Sequence, residues 1–207
     1  MEEILLNYHN IKKHLQKTCL TVVTKNQTTQ AIMPLIEENH QDFAENYIQE
    51  AQEKWINIIN KYNINLKLIG KLQSNKINEA LALFNEIHSI HSLELAEKIA
   101  SKLTEHTKTK IFYLQINIGE EEQKSGIMPC DVVNFFEKSP LKISGLMCIP
   151  PAGVDSSLYF LLMHNIKNDI EEKFNIKLKL NMGMSQDWQT ATNLNSDEIR
   201  IGSAIFK

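Results

Sequence analysis

Cysteine is scarce. Cys19, Cys130 and Cys148 are the only three in 207 residues, and no two form a Cys-x-x-Cys pair. An odd, dispersed set supports neither a disulfide frame nor a zinc site, and reads as reduced thiols. Basic clusters are missing as well. No basic run exceeds a pair, and a net charge of −3 with a pI of about 6.2 argues against a nucleic-acid surface. No apolar stretch is longer than a strand, far short of a membrane span. The opening residues Met1-Glu2-Glu3-Ile4 lack the basic start and apolar middle of a signal peptide, so a cytoplasmic chain is expected. His88 and His91 lie close together, but there is no His-Glu-x-x-His, and no metal site is predicted. No Gly/Ser-rich linker divides the sequence, so one domain is expected over residues 1–207.

What is present is ordinary globular material, 43% hydrophobic and 23% charged. Ile4, Leu5, Tyr8, Ile11 and Leu15 form one stripe, which predicts an N-terminal helix within residues 1–17. From residue 19 to 206, strand and helix signals alternate. Strands are expected at 19–24, 42–45, 66–70, 86–90, 110–118, 142–149, 177–182 and 199–206, with a helix after each of the first seven. Thr28 or Thr29, Ser92, and Ser156 or Ser157 supply helix caps, and Pro129 suits a first helical turn. Strands that read as continuous apolar runs, separated by helices, argue for a parallel sheet covered on both faces. Eight such units match an α/β fold of the (β/α)8 TIM-barrel type with an extra N-terminal helix. An open doubly wound sheet is the rival.

A barrel carries its chemistry on the loops after the strands. Lys25 follows strand one, where its amine would point into the space above the sheet. Burial there would lower its pKa and let the neutral amine attack an aldehyde; the alternative is a surface lysine past a strand end. After strand seven come Gly183 and Ser185, and strand eight holds Gly202 and Ser203. Loops seven and eight often form a phosphate cup in barrels, although each pair alone is also a tight turn. With a lysine on strand one, the two suggest a phosphorylated aldehyde. Pyridoxal 5′-phosphate fits, its phosphate in the cup and its aldehyde reaching Lys25 across the mouth. Arg200, on strand eight, needs a partner if buried. That partner is either a neighbouring carboxylate or the cofactor's phosphate or ring nitrogen. An arginine cannot accept the ring proton, so the ring would be a weak electron sink.

Several segments resemble the pyridoxal-phosphate homeostasis protein family, the one-domain relatives of the alanine racemase barrel. They include Val22-Val23-Thr24-Lys25, Glu45-Asn46-Tyr47-Ile48-Gln49-Glu50, Leu68-Ile69-Gly70-Lys71-Leu72-Gln73-Ser74-Asn75-Lys76 and His88-Ser89-Ile90. Gln115-Ile116-Asn117, Lys124-Ser125-Gly126, Gly145-Leu146-Met147-Cys148-Ile149-Pro150, Met182-Gly183-Met184-Ser185 with Asp187, and Arg200-Ile201-Gly202-Ser203-Ala204-Ile205-Phe206 complete the set, in the family's order. The resemblance implies that Lys25 is a Schiff-base lysine. It also implies that Ser185, Gly202 and Ser203 contact phosphate, and that Asn46 and Arg200 line the cofactor. The Gly70–Lys76 loop matches a signature with no derived role; capping the following helix is the plain alternative. Ala44, Lys67, His91 and Asn26 depart from the family's usual glycine, histidine, aspartate and threonine.

The resemblance implies a role in intracellular vitamin B6 balance without established catalysis, with PLP-dependent apoenzymes as partners and a monomeric state expected. The sequence ends with the eighth strand, so the extra β-domain with which the two-domain racemases supply a second proton donor is not expected. The competing readings are a PLP-dependent amino-acid racemase or lyase, and a barrel that binds another phosphate ester non-covalently.

Overall fold

The computed structural model describes residues 2–207. Eight parallel strands close into a barrel in chain order, β1 (Cys19–Val23), β2 (Asp42–Glu45), β3 (Asn65–Leu68), β4 (Glu86–Ile90), β5 (Ile111–Ile116), β6 (Gly145–Cys148), β7 (Lys179–Asn181) and β8 (Glu198–Ile201). The open-sheet alternative is excluded by the pairing of β8 with β1, which sets Thr21 beside Arg200 and Val22 beside Ile201. Helices α1 (Glu2–Lys12), α2 (Thr29–Glu37), α3 (Ile48–Trp55), α4 (Ile77–Leu83), α5 (Leu93–Ala100), α6 (Val132–Lys138), α7 (Ser157–Phe174), α8 (Trp188–Asn193) and α9 (Ser203–Phe206) complete the chain. No helix among the described residues is long and apolar enough to cross a membrane.

The strand sequences explain the two layers. Val22, Phe43, Leu66, Leu68, Ile87, Leu114, Leu146, Leu180, Ile199 and Ile201 are buried between sheet and helices. The alternate positions include Thr21, Lys67, His88, Asn181 and Arg200, equally buried but inside the barrel. Both faces exclude water, so the strands do not show the simple alternation of a half-exposed sheet. Local chemistry fixes the helices. Thr28 Oγ1 accepts from Ala31 N–H at 3.3 Å and Ser92 Oγ from Leu95 N–H at 3.1 Å, each capping a helix start. Asn175, in the left-handed region at φ 51°, ends α7.

Two expectations shift. The N-terminal helix stops at Lys12, short of Leu15, which still packs against the core as a partly buried side chain. The run 199–206 is not one strand. β8 ends at Ile201, Gly202 turns the backbone, and Ser203–Phe206 is helical, with Ile205 N–H bonded to Gly202 O at 2.9 Å. The apolar residues continue because α9 buries Ile205 completely. Helix α1 covers the barrel wall. Its Asn7 donates to Ile205 O at 3.2 Å, and the buried Tyr8 meets His40 Nδ1 at 3.2 Å.

Candidate functional site

Strand parity determines what β1 offers. Thr21 faces the interior, where its hydroxyl donates to Glu198 at 2.5 Å and accepts from Lys67 at 3.0 Å. Thr24 faces the helices, donating to Glu45 Oε1 at 2.7 Å. Thr24 N–H still reaches Ala44 O at 3.0 Å, so strand pairing runs one residue beyond β1. Lys25 comes next, on the interior parity, at the carboxyl end of the barrel. It is exposed, not enclosed as expected, because β1 ends at this open rim. Among the described residues its amine has no hydrogen bond or ion pair. The turn that follows is tight, with Gln27 N–H on Thr24 O at 3.0 Å and Asn26 at φ 60°.

The turn after β8 lies against this same strand end. A side chain at Gly202 would place its Cβ 3.1 Å from Val23 O and 3.3 Å from Val23 Cβ. Gly202 and Ser203 are therefore neighbours of Lys25 around the closed barrel, not opposite it across the mouth; closure makes the first and last strands adjacent. The turn after β7 joins them. Ser185 Oγ accepts from Ala204 N–H at 3.2 Å. Gly183, at φ 102°, accepts from Arg200 N–H on its carbonyl at 2.9 Å, and a Cβ there would meet Ala191 at 2.5 Å.

Arg200 is 3% exposed. Its Nη1 donates to Asn181 O at 2.8 Å and to Asn181 Oδ1, and Nη2 donates to Cys148 O at 2.8 Å. Its bonded partners are thus neutral oxygens, not the carboxylate that sequence reasoning weighed. Burial pulls its pKa down, opposed by Cys148, Glu198 and Asp187. Burial likewise pushes the Cys148 thiol up to about 12, with Arg200 opposing. The guanidinium carries more N–H donors than these three bonds use, leaving capacity for a ligand.

Asn46 stands just past β2, and its Oδ1 is buried without a hydrogen-bond partner. A buried acceptor left bare is costly, so a donor from a bound group would be stabilised there. The Gly70–Lys76 loop presses on it from the next strand. A Cβ at Gly70 would lie 1.9 Å from Asn46 O, a contact only glycine permits. Between the two loops lies a cleft of about 510 Å3, lined by Tyr47, Lys71, Gln73 and Lys76 among others.

Below the mouth the interior is ionic. Lys67 is 2% exposed and lies 2.9 Å from Glu198, 3.0 Å from Asp42 and 3.8 Å from Glu86. Burial opposes its charge, but Glu198, Glu86 and Asp42 outweigh that and hold it above the usual lysine range. Burial also works against the Glu86 carboxylate, yet the His88 hydrogen bond and Lys67 bring it down to about 2. Glu86, His88 and Glu198 bring ligand atoms within 4.8 Å of one another. The Lys67 ammonium already supplies the cation to both carboxylates, so this cluster is an internal ion pair network. Sequence reasoning missed it, and missed Glu50 and Lys54, which hold the backbone beside Lys25. Asn26 N–H donates to Glu50 Oε1 at 2.6 Å, and Lys54 Nζ to Thr24 O at 2.5 Å. The only signal was the position of Glu45 and Glu50 in a recognised segment.

The sequence matches the family described as "Alanine racemase, N-terminal domain" over residues 1–207. A pyridoxal phosphate homeostasis protein of Synechocystis is 34% identical over 195 residues, covering 90% of this chain and 89% of that one. The human protein of the same name is 32% identical over 207 residues, covering 90% and 75%. PipY of Synechococcus elongatus, solved with PLP bound, superposes with a TM-score of 0.86 at 27% identity, covering 99% of this chain and 100% of that one. Alanine racemase of Clostridium difficile, at 16% identity and a TM-score of 0.76, shares the fold over 99% of this chain and 56% of its own.

Proposed function

The chain belongs to the pyridoxal phosphate homeostasis proteins within the alanine racemase N-terminal-domain family, and we propose that it holds pyridoxal 5′-phosphate at the barrel mouth as a Schiff base on Lys25. One observation carries the reading. The unpartnered Lys25 amine stands at the end of β1, against which the Gly202 turn packs, and Ser185 ties that turn to the one after β7. The residues fit the group. Ser185, Gly202 and Ser203 would hold the phosphate with hydroxyls and close backbone approach, and Asn46 Oδ1 offers an acceptor that lacks a partner. Arg200 would face the ring with its unused N–H donors. Bound pyridoxal phosphate supplies an aldehyde for the covalent link and a conjugated ring that can accept electrons. Lys25 is exposed at the rim, and the protein's contribution is proximity: anchoring the phosphate beside the amine raises the aldehyde's effective concentration.

The role we infer is cofactor holding within vitamin B6 balance, not turnover. Arg200 cannot take a proton from the ring nitrogen, which leaves the ring a weak electron sink. Of the residues placed around the cofactor, only the Lys25 amine is a side chain of the kind that serves as general acid or base; an amide, two hydroxyls and a guanidinium are not. Removing a proton from one face and returning one to the other needs two such groups. An open mouth also suits transfer to PLP-dependent apoenzymes. We place the protein in the cytoplasm as a monomer.

Borohydride reduction of the loaded protein followed by peptide mapping tests the link: a pyridoxyl adduct on Lys25 is expected, and an unmodified Lys25 refutes it. The racemase or lyase reading is tested by adding L-amino acids to the loaded protein and following optical activity. Steady turnover abolished by Lys25→Ala would overturn the non-catalytic role.

A further inference from the structure

Lys25 stands between two gripped neighbours. On its amino side, the Thr24 carbonyl accepts from Lys54 Nζ at 2.5 Å and the Thr24 hydroxyl donates to Glu45 Oε1 at 2.7 Å. On its carboxyl side, Asn26 N–H donates to Glu50 Oε1 at 2.6 Å, with Asn26 held at φ 60°. Lys54 closes the arrangement, since the same ammonium lies 2.8 Å from Glu45 Oε1 and 2.8 Å from Glu50 Oε1. Its side chain is 7% exposed and that of Glu45 fully buried. Every partner of this ammonium is either the turn itself or a carboxylate that also grips the turn.

A connection that only joined β1 to α2 would not need this. Burying a lysine head costs hydration and side-chain freedom, which its carboxylates must offset. The grip also falls on the backbone to either side of Lys25 and leaves the Lys25 amine free. A second tier supports it. Gly70 packs on the carbonyl of Asn46, in the stretch between Glu45 and Glu50, and the buried Leu72 anchors that loop.

We propose that Glu50 and Lys54 are positioning residues for Lys25: they fix the turn so that its amine meets the aldehyde of a ligand whose phosphate is held by the adjacent rim turns. The proposal rests on the Schiff-base reading above. The step it serves is a condensation. The neutral Lys25 amine adds to the aldehyde carbon, and the adduct loses one water to leave a carbon–nitrogen double bond, with no oxidant or reductant needed. The phosphate is assigned to the turns after β7 and β8, outside the Glu50–Lys54 grip, so the two contributions are separable.

Pyridoxine 5′-phosphate carries a hydroxymethyl group where pyridoxal 5′-phosphate has its aldehyde, and cannot form the link. Both ligands are titrated against the full chain as wild type, Lys54→Met, Lys54→Arg and Glu50→Gln, with borohydride trapping at Lys25 as the covalent readout. Lys54→Met is expected to weaken pyridoxal phosphate about tenfold or more and to reduce trapping in parallel. Its pyridoxine phosphate affinity should stay within about twofold of wild type, because the phosphate contacts are untouched. Lys54→Arg, which keeps a cation on the Thr24 carbonyl, should recover most of the loss, and Glu50→Gln should fall between. Equal loss for both ligands, as a purely structural role would give, overturns the proposal; so does unchanged trapping. If Lys54→Met does not fold, Glu50→Gln carries the same comparison. A wild-type protein with no Lys25 adduct and no preference for the aldehyde overturns the Schiff-base reading and this proposal together. An adduct in wild type with equal losses in the variants overturns this proposal alone.

Discussion

Replacing Ser185 by alanine separates the site's hold on phosphate from its hold on the fold. In the unliganded protein the Ser185 hydroxyl accepts one hydrogen bond, from Ala204 N–H at 3.2 Å, in a half-buried setting. Losing it leaves an amide that water can reach, so the fold should weaken by only about 1 kcal/mol. Against a phosphate dianion the same hydroxyl makes a charge-assisted bond, whose loss costs about 1.5 to 3 kcal/mol. The affinity for pyridoxal phosphate should therefore fall about 10- to 150-fold, while the urea midpoint moves little. Equilibrium dialysis of the cofactor, run beside urea unfolding of both proteins without it, measures the two quantities. Pyridoxal without its phosphate is the control and should bind both proteins equally weakly. Unchanged cofactor affinity would remove Ser185 from the phosphate site. A loss of several kcal/mol in the fold would mean that the Ser185–Ala204 contact is structural first.

Gly70→Ala places a methyl 1.9 Å from Asn46 O, which must displace one of the two loops; a loss of about 1 to 3 kcal/mol in urea unfolding is expected, with weaker cofactor binding because Asn46 moves. Lys67→Met leaves Asp42, Glu86 and Glu198 without their shared cation and should cost about 3 to 5 kcal/mol; a loss under about 1 kcal/mol would show that the carboxylates take up protons instead. Acid should loosen the α1 side of the barrel. Burial pushes His40 down from 6.5 to about 4, so the unfolded chain takes up its proton first. The stability this histidine contributes is complete above pH 6.5 and is lost as pH falls towards 4, by about 3 kcal/mol at most. The difference in stability between wild type and His40→Gln should shrink through that window, and a difference independent of pH would refute the assignment.

The barrel was legible because its strands announce themselves as short apolar runs at regular spacing, and both layers of a closed parallel sheet exclude water. The same property hid the end of β8. Ile199 to Phe206 is apolar enough for either state, and periodicity cannot separate a short buried strand from one helical turn; Gly202 was the break, and it was read as part of the strand. Lys25 and Ser185 stand out as loop residues following strands, and Gly202 and Ser203 as a small turn within the eighth run, which needs only element order. Their adjacency needed closure, which sets β8 beside β1. Glu50 and Lys54 were out of reach for a different reason. Lys54 lies thirty residues beyond Thr24, on a helix where a lysine four residues after Glu50 reads as an ordinary surface pair. Only the packed structure shows that this pair is turned inward onto the β1 turn.

The interior departs furthest from what an apolar reading predicts, and its hydrogen bonds explain how it stays ordered. Glu86 Oε2 lies 2.8 Å from His88 Nε2. With Glu86 ionised, the carboxylate accepts, so Nε2 carries the proton. His88 Nδ1 is then an acceptor for the Asn181 amide nitrogen at 2.7 Å, which leaves Asn181 Oδ1 to face Arg200. His88 is further fixed by stacking on Tyr113, ring centroids 3.9 Å apart. Each group in the chain from Glu86 to Arg200 has one satisfactory orientation, so the guanidinium is set by the ion cluster beneath it. That cluster gives no general attraction for an anion. Asp42, Glu86 and Glu198 against Lys67 and Arg200 leave one negative charge in excess, eased towards solvent through Asp42, whose side chain is 28% exposed. A phosphate at this mouth would therefore have to be held by donors placed against it, which is the part proposed here for the rim turns of Ser185, Gly202 and Ser203.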